Sequence, residues 1–108
     1  MRKGLVSILT PCYNGESFIH RLLDSILAQT YPDVEMIVVD DGSTDRSYDI
    51  ARGYIPRFEE RGYSLRCVRQ PNSGQSVAID NGLKLIRGEF LVWPDSDDFY
   101  ASGFAIER

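Results

Sequence analysis

The chain has 108 residues, a size that favours one domain with a modest core. Its net charge is −4 and lysines and arginines form no cluster beyond isolated pairs, which argues against a nucleic-acid-binding surface. Without an apolar stretch of the roughly 20 residues that span a bilayer, and without a signal-peptide pattern, a cytoplasmic protein is expected. Cys12 and Cys67 are predicted to be reduced thiols, and His20, the only histidine, to be a surface or packing residue.

The first predicted elements are a strand over residues 5–10 and an amphipathic helix over residues 16–29. The strand is a short β-branched apolar run that ends in turn residues, and apolar side chains then recur at helical spacing. Ser17 or Asn14 is expected to cap the helix, with Glu16 at the positive end of its dipole.

A second strand is predicted over residues 34–39 and runs into the acidic loop 40–45, whose sequence is D-D-G-S-T-D. Ser43 or Thr44 has the chemistry of an N-cap for one helix that follows the loop. Gly62 is expected to end that helix, since glycine readily adopts the left-handed conformation found there.

The last predicted elements are a strand over residues 64–69, a helix over residues 75–86 and a strand over residues 89–93. Gly88 is expected to act as the left-handed cap of the helix. Pro94 has no N–H group to donate, so the final strand is expected to stop there, and three carboxylates follow within the next four positions.

Strands that alternate with helices predict an α/β fold, with a Rossmann-like, mostly parallel sheet and flanking helices. Three strands end in distinctive polar clusters: P-C-Y-N, D-D-G-S-T-D and D-S-D-D. Because the carboxyl ends of such strands share one edge, these clusters are predicted to converge on one cleft. The crowded carboxylates suit a divalent cation, Mg²⁺ or Mn²⁺; the alternative is a solvated acidic turn that caps a helix.

Taken together, these segments resemble the family 2 glycosyltransferases with the GT-A fold. The resemblance covers nearly the whole chain, in the family's order and spacing, and is carried by residues 6–14, 26–31, 38–45, 72–74, 88–90 and 95–98. It implies an inverting transferase that moves a sugar from a nucleoside diphosphate donor, with UDP favoured, to an acceptor hydroxyl. A carbohydrate or lipid-linked acceptor and a role in polysaccharide biosynthesis, at the cytoplasmic face of a membrane for the full-length protein, are family-level expectations.

The resemblance also assigns site residues. Tyr13 would lie against the base, since every base offers a π face for stacking, and Asp41 would accept the imide N–H of uracil. Its neighbour Asp40 is expected to support the turn or to cap a helix at residue 44. The residues implied to bind the nucleotide sugar are Pro11, Tyr13, Asn14, Glu16, Asp41, Gly74, Asp95 and Ser96.

The family's D-x-D motif maps onto Asp95 and Asp97, with Asp98 beside them. The resemblance implies that Asp95 and Asp97 hold the divalent metal (Mn²⁺ or Mg²⁺), which assists departure of the charged nucleoside diphosphate.

Two departures from the family qualify this interpretation. Many relatives have Ala-Arg-Asn where this chain has Ala78-Ile79-Asp80, so a basic donor contact is missing at position 79, and Asn81-Gly82 is a candidate for a local shift of the same feature. The family's catalytic domain is also about twice this size, which predicts that residues 1–108 are a donor-binding domain incomplete at its C-terminus. The general base then has no candidate here, and the exposed edge of a truncated sheet is expected to promote self-association.

Three other classes compete with the transferase interpretation. A binding module that holds a nucleotide without turnover fits a chain that lacks the general base. A nucleotidyltransferase would need a glycine-rich, basic loop after the first strand, where this chain has residues 11–14. A phosphatase with an aspartyl nucleophile would carry D-x-D after its first strand, whereas here the motif follows the fourth.

Overall fold

Strands and helices alternate along the chain in the structure, a computed structural model that describes residues 2–30 and 32–92. The strands are β1 (Arg2–Cys12), β2 (Val34–Asp40), β3 (Ser64–Arg69) and β4 (Gly88–Val92). The helices are α1 (Glu16–Leu27), α2 (Ser47–Gly53), α3 (Ile55–Arg61) and α4 (Gln75–Leu83).

The four strands form one sheet in the order β3-β2-β1-β4, and every neighbouring pair is parallel. This confirms the predicted α/β fold with a parallel sheet. Cys12 pairs with Asp40 and Asp40 pairs with Arg69, so β1, β2 and β3 end side by side. The strand order reverses between β1 and β4, and ligands of open α/β sheets bind at such a switch point.

Helices cover both faces of the sheet. On one face, α1, α2 and α3 bury a large apolar cluster that includes Ile8, Leu22, Met36 and Phe58. On the other face, α4 lies over a smaller cluster formed by Leu9, Ile37, Val39 and Ala78. Side chains alternate between the two faces along each strand, so Ile8 and Leu9 belong to different clusters. The layers hold the carboxyl edge of the sheet in place.

Contact between α4 and the sheet is close at Gly82. A Cβ atom at this position would overlap the side chain of Leu9 and lie 3.1 Å from Cγ2 of Val39. Only a residue without a side chain lets the helix backbone approach this near, so α4 has a fixed position over β1 and β2.

The predicted single helix between Ser43 or Thr44 and Gly62 is wrong, because two helices occupy this segment. Pro56 lies at the start of α3, where its missing N–H group costs nothing, but inside a continuous helix it would remove a hydrogen bond and clash with an earlier carbonyl. The break therefore falls at Tyr54. Gly62 does end α3, with a left-handed φ of 89°.

The predicted N-caps of α1 and α2 are also wrong. The N-cap of α1 is Gly15 and that of α2 is Arg46, and neither makes a side-chain capping bond. Asn14, Ser43 and Thr44 instead bond to one another between two loops, which leaves them unavailable as caps.

Gly88 is not a helix cap either. Helix α4 ends at Leu83, and Gly88 begins β4 without a left-handed φ, paired with Arg2. Pro94 and the residues around it lie outside the described part of the chain. Among the described helices, none has the length and apolar character required to cross a membrane.

Candidate functional site

The loops that follow β1 and β2 are joined by hydrogen bonds at the carboxyl edge of the sheet. Asn14 has a left-handed φ of 50°, a conformation that asparagine tolerates better than most residues. Its backbone N–H donates to Oγ of Ser43 at 2.8 Å, and its Oδ1 accepts the N–H of Thr44 at 2.8 Å. Because these contacts run in both directions, each loop fixes the position of the other.

A second set of bonds continues this junction towards α1 and α2. The N–H of Glu16 donates to Oδ2 of Asp45 at 3.1 Å, and Oε1 of Glu16 accepts the N–H of Arg46 at 3.1 Å. Gly15 donates its N–H to Oγ of Ser47 at 2.9 Å. Burial raises the pKa of Asp45, but hydrogen bonds from Ser47 outweigh it and hold this pKa below its usual range. Glu16 thus connects the two loops in this structure.

Asp41 is the most heavily bonded acidic side chain at this edge. Its side chain is buried, with 5% exposure of the residue. Oδ1 accepts the N–H of Ser73 at 2.7 Å and Nε2 of Gln70 at 2.8 Å, while Oδ2 accepts the N–H of Gly74 at 3.0 Å and Nδ2 of Asn72 at 3.3 Å. Bonds from Ser73 and Gln70 are the main reasons why the pKa of Asp41 is lowered. The carboxylate is held ionised by the loop that follows β3.

Sequence reasoning did not identify Gln70 or Asn81 as site residues. Gln70 follows β3 and contacts Asp41, and its Oε1 accepts Nδ2 of Asn81 at 2.6 Å. The sequence pointed to Asn81 only as part of Asn81-Gly82, the candidate for a local shift of the family's Ala-Arg-Asn feature, and nothing in it indicated a bond to Gln70.

Tyr13 offers an exposed aromatic surface at the same edge of the sheet as Asp41. It is 51% exposed, whereas the preceding Cys12 is buried. The N–H of Asp41 donates to the carbonyl of Cys12, the residue before Tyr13, at 2.8 Å. Asp41 and Cys12 therefore lie at the same level of the edge. Pro11, half-buried, pairs with Val39 in the sheet. An exposed ring and a buried carboxylate at the same edge of the sheet are suited to hold a planar group with N–H donors.

Asp40 has a structural part in the same edge. Its Oδ2 accepts the N–H of Ser43 at 3.0 Å and forms an ion pair with Nε of Arg69 at 3.2 Å. Nη2 of Arg69 donates to the carbonyl of Ser43 at 2.7 Å. The expected turn-supporting role is confirmed. The expected cap at residue 44 is wrong, because α2 begins at Ser47.

The predicted metal-binding residues are not among those described. Asp95, Ser96, Asp97 and Asp98 all lie outside residues 2–92. Within the described part of the chain, no group of three or more histidine, cysteine, aspartate or glutamate side chains could hold a metal ion.

The departure from the family at position 79 has a packing role. Ile79 is partly buried against the small cluster under α4, whereas Asp80 is exposed. A hydrophobic side chain thus stands where many relatives were expected to place a basic one.

Four of the predicted site residues are brought together at one edge. Asp41 bonds directly to Gly74, which has a φ of 104° and precedes α4, and Tyr13 and Asn14 belong to the loop joined to the residues after Asp41. This edge combines a buried acceptor, an exposed ring and backbone N–H groups.

Comparison with known proteins identifies a family and relatives of this chain. The sequence model of glycosyl transferase family 2 matches residues 7–108. The glycosyltransferase EpsJ of Bacillus subtilis is 43% identical over 98 residues, which make up 91% of this chain and 27% of EpsJ. The chain therefore spans about a quarter of the length of that relative.

Solved structures show the same fold. The S. aureus protein TarS (residues 1–349, in complex with UDP-GlcNAc) has a TM-score of 0.73 and 33% identity, over 85% of this chain and 26% of TarS. A mannosyltransferase from Pyrobaculum calidifontis, in complex with GDP-Man and Mn²⁺, has a TM-score of 0.77 and 30% identity, over 85% of this chain and 27% of its own. Both likenesses agree with the predicted GT-A type fold.

Proposed function

This chain belongs to glycosyl transferase family 2, and on that premise we propose that its carboxyl edge binds the nucleoside diphosphate of a sugar donor, with UDP as the nucleotide. The sugar is transferred with inversion to the hydroxyl of a carbohydrate or lipid-linked acceptor. Similarity to structures that hold UDP-GlcNAc and GDP-Man supports a nucleotide-sugar site at this edge.

The buried carboxylate of Asp41 is the observation that carries the proposal. An ionised carboxylate only accepts hydrogen bonds, so it favours a base that presents an N–H donor. Uracil, thymine and guanine carry such an imide-type N–H, whereas the corresponding cytosine nitrogen is an acceptor and would face a negative charge. The site is therefore expected to reject CDP, and UDP is chosen because a uracil nucleotide is bound by the similar TarS.

The other described residues complete the donor pocket in this proposal. The exposed ring of Tyr13 stacks on the base, and Pro11 and Asn14 shape the wall beside it. Glu16 lies at the outer end of the same junction, and Gly74 brings its backbone close to Asp41. Stacking adds affinity without choosing the base, so selection rests on Asp41.

A divalent metal fits the carboxylates of the D-x-D motif by the chemistry of its donors. Asp95 and Asp97 supply hard oxygen ligands of the kind that Mg²⁺ and Mn²⁺ prefer, and Ser96 between them would contact the nucleotide sugar. When bound, the metal would stabilise the negative charge that develops on the diphosphate as it leaves. Mn²⁺ in the similar mannosyltransferase complex supports this assignment.

A cytoplasmic location is part of the proposal. Cys12 and Cys67 are both free thiols, the state expected in a reducing compartment. Fractionation of cells that carry a tagged full-length protein would test it.

Calorimetric titration of the full chain with UDP, GDP, dTDP and CDP, in Mn²⁺ and again in EDTA, tests the function. UDP is expected to bind in Mn²⁺, with weaker binding in EDTA and after Asp97→Ala. Asp41→Asn keeps the shape of the side chain but presents an N–H group to the base, so it should lower affinity for UDP and raise affinity for CDP. Asp49→Ala removes an exposed carboxylate of α2 and serves as the matched control.

Several results would contradict the proposal. UDP binding that is indifferent to EDTA and to Asp97→Ala would remove the metal from it. Unchanged UDP and CDP affinities in Asp41→Asn would remove base recognition by this residue. Binding of UDP without turnover of any UDP-sugar, either by hydrolysis or onto an acceptor, would favour a binding module instead.

A further inference from the structure

The amide of Gln70 lies between a buried carboxylate and a second amide. Its Nε2 donates to Oδ1 of Asp41 at 2.8 Å, and its Oε1 accepts Nδ2 of Asn81 at 2.6 Å. Gln70 is 9% exposed, so water competes little for these contacts. We call the connected side chains of Asn81, Gln70 and Asp41 the amide relay.

The chemistry of its members fixes the direction of every bond in the amide relay. Because an ionised carboxylate has no hydrogen to give, Gln70 must turn its NH₂ group towards Asp41. The carbonyl oxygen of Gln70 then faces Asn81, which in turn must present its own NH₂ group. The backbone of Gln70 is held as well, since its N–H donates to the carbonyl of Asp40 at 2.9 Å. No other arrangement satisfies all three side chains.

The two oxygens of Asp41 are therefore unequal. Oδ1 is filled by two short bonds, from Ser73 at 2.7 Å and Gln70 at 2.8 Å, whereas the bond from Asn72 to Oδ2 is the longest of the four at 3.3 Å. A carboxylate accepts about four hydrogen bonds, so an incoming donor must displace one. Nδ2 of Asn72 also donates to the backbone carbonyl of Asp41 at 3.0 Å, so its longer bond to Oδ2 is the one that an incoming donor would displace at least cost.

We propose that Gln70, oriented by Asn81, is a positioning residue that commits Oδ1 of Asp41 to the protein and leaves Oδ2 for the imide N–H of the nucleobase. The amide relay thereby contributes to discrimination between uracil and cytosine. This inference rests on the proposed function. It adds two residues to the proposed site: Gln70, which follows β3, and Asn81 on α4. Neither residue needs to touch the nucleotide.

Asn81 lies where α4 packs closely on the sheet. Asn81 precedes Gly82, where α4 packs against Leu9 and Val39 without room for a Cβ atom. Since α4 packs this closely on the sheet, we expect a change at position 81 to be taken up by the side chain of Gln70, and through it by Asp41, rather than by a shift of the helix. Bonds from Ser73 and Gln70 keep the pKa of Asp41 low, so loss of the Gln70 bond should raise this pKa.

Asn81→Asp in the full chain tests the inference with little change of shape. Its carboxylate would face the carbonyl of Gln70, and if Gln70 turned over, that carbonyl would face Asp41 instead. Either orientation opposes two acceptors, so affinity for UDP is expected to fall about tenfold. Affinity for CDP, measured by competition, should fall much less. As the pH is lowered, the variant should lose UDP binding at a higher pH than the unaltered protein, because Asp41 would be protonated earlier.

Three further variants complete the design. Asn81→Ala removes the bond without adding charge and replaces Asn81→Asp if that variant fails to fold. In a Gln70→Ala background, Asn81→Asp is expected to have almost no additional effect on UDP affinity, because the residue through which it acts is gone. Gln29→Ala removes a partly buried glutamine that bonds to the carbonyl of Ser25 at the end of α1, and should leave both nucleotides unaffected.

The outcomes separate this inference from the proposed function. If the unaltered protein binds UDP but Asn81→Asp and Gln70→Ala change neither UDP affinity nor the UDP/CDP ratio, the inference alone is wrong. It is also wrong if both nucleotides weaken equally alongside a lower unfolding temperature, since the amide relay would then only stabilise the fold. If the unaltered protein binds no nucleotide, the proposed function fails and the inference with it.

Discussion

The hydroxyl of Ser7 on β1 donates a hydrogen bond of 2.6 Å to Oε2 of Glu35 on β2. The oxygen of Ser7 also accepts the N–H of Gly88 at 2.8 Å, and Glu35 accepts the backbone N–H of Arg87 at 2.5 Å and its Nε at 3.0 Å. Glu35 is 1% exposed. This buried carboxylate thus joins β1 and β2 to the first residue of β4, the strand that leads to the D-x-D motif.

Glu35→Ala is expected to lower the free energy of unfolding by about 3 kcal/mol. Removal of the Glu35 carboxylate leaves the hydroxyl of Ser7 and the backbone N–H of Arg87 without their acceptor. This loss is more costly than the loss of an exposed ion pair. Arg87→Ala is the matched control, since its side chain is half-exposed and its backbone N–H bond to Glu35 remains; a loss of about 1 kcal/mol or less is expected. Chemical denaturation measures both, and equal losses would contradict the role assigned to burial.

Acid should destabilise the protein through Glu35. Burial raises the pKa of Glu35, but hydrogen bonds from Ser7 and Arg87 outweigh it, so the pKa is lower in the folded state than in the unfolded chain. The ionised form therefore stabilises the fold above the ordinary glutamate pKa of about 4.3. That stability is lost as the pH falls through the lowered pKa.

Glu35→Gln provides the comparison for this pH dependence. The amide does not titrate, so between pH 5 and pH 2 the free energy of unfolding should fall less in this variant than in the unaltered protein. Chemical denaturation curves recorded across this pH range measure the difference. Parallel curves for the two proteins would mean that other carboxylates account for the acid sensitivity.

Gly42→Ala is expected to destabilise the protein by about 2 kcal/mol or more. Gly42 has a left-handed φ of 72°, which costs an L-residue about 1–2 kcal/mol, and a Cβ atom there would lie 2.7 Å from the backbone nitrogen of Asn72. Gly53→Ala is the control, because a Cβ atom in this helical position meets nothing within 4 Å. Alanine should stabilise α2 by about 0.5–1 kcal/mol. Opposite signs in thermal or chemical unfolding are the expected result.

Both cysteines should resist thiol reagents in the folded protein. Burial, with a smaller contribution from the charge of Asp40, raises the pKa of Cys12 to about 11, and burial raises that of Cys67 to about 12. Since the thiolate is the reactive form, labelling with a coloured disulfide reagent at pH 8 should be slow and should become fast in denaturant. Rapid labelling of either cysteine without denaturant would show that its surroundings are open.

The 108-residue chain on its own is expected to associate. In the described part of the chain, β4 lies at one end of the sheet and pairs only with β1, and an open strand edge favours pairing with another molecule. Light scattering should detect dimers or larger species that grow with concentration. A monomer at high concentration that binds no dye specific for apolar surface would refute this expectation.

Periodicity and turn chemistry were sufficient to predict the sheet and the edge at which the candidate site lies. The four strands were placed within a few residues, because their β-branched runs are short and sharply bounded. The N-caps were not predictable, since Asn14 and Thr44 have the chemistry of caps but bond across 30 positions to each other. Local sequence does not reveal which of two partners such a side chain will choose.

In the candidate site, too, some residues could be predicted from the sequence and others could not. Asp41 and Tyr13 could be selected because the motifs around them resemble those of a known family. Gln70 could not, because its proposed role depends on a bond to Asn81, eleven positions away on α4. A contact that arises only when a helix folds back over the sheet has no signature in either segment alone.

The reciprocal bonds between the loops after β1 and β2 also determine how this edge moves. The N–H groups of Asn14 and Gly15 donate to hydroxyls of the second loop, and the N–H of Thr44 donates to the side chain of Asn14. These amide hydrogens can exchange with solvent only when the loops separate. They should therefore exchange at a common rate, as one cooperative opening unit, so the wall of the proposed nucleotide site is expected to open and close as a single body.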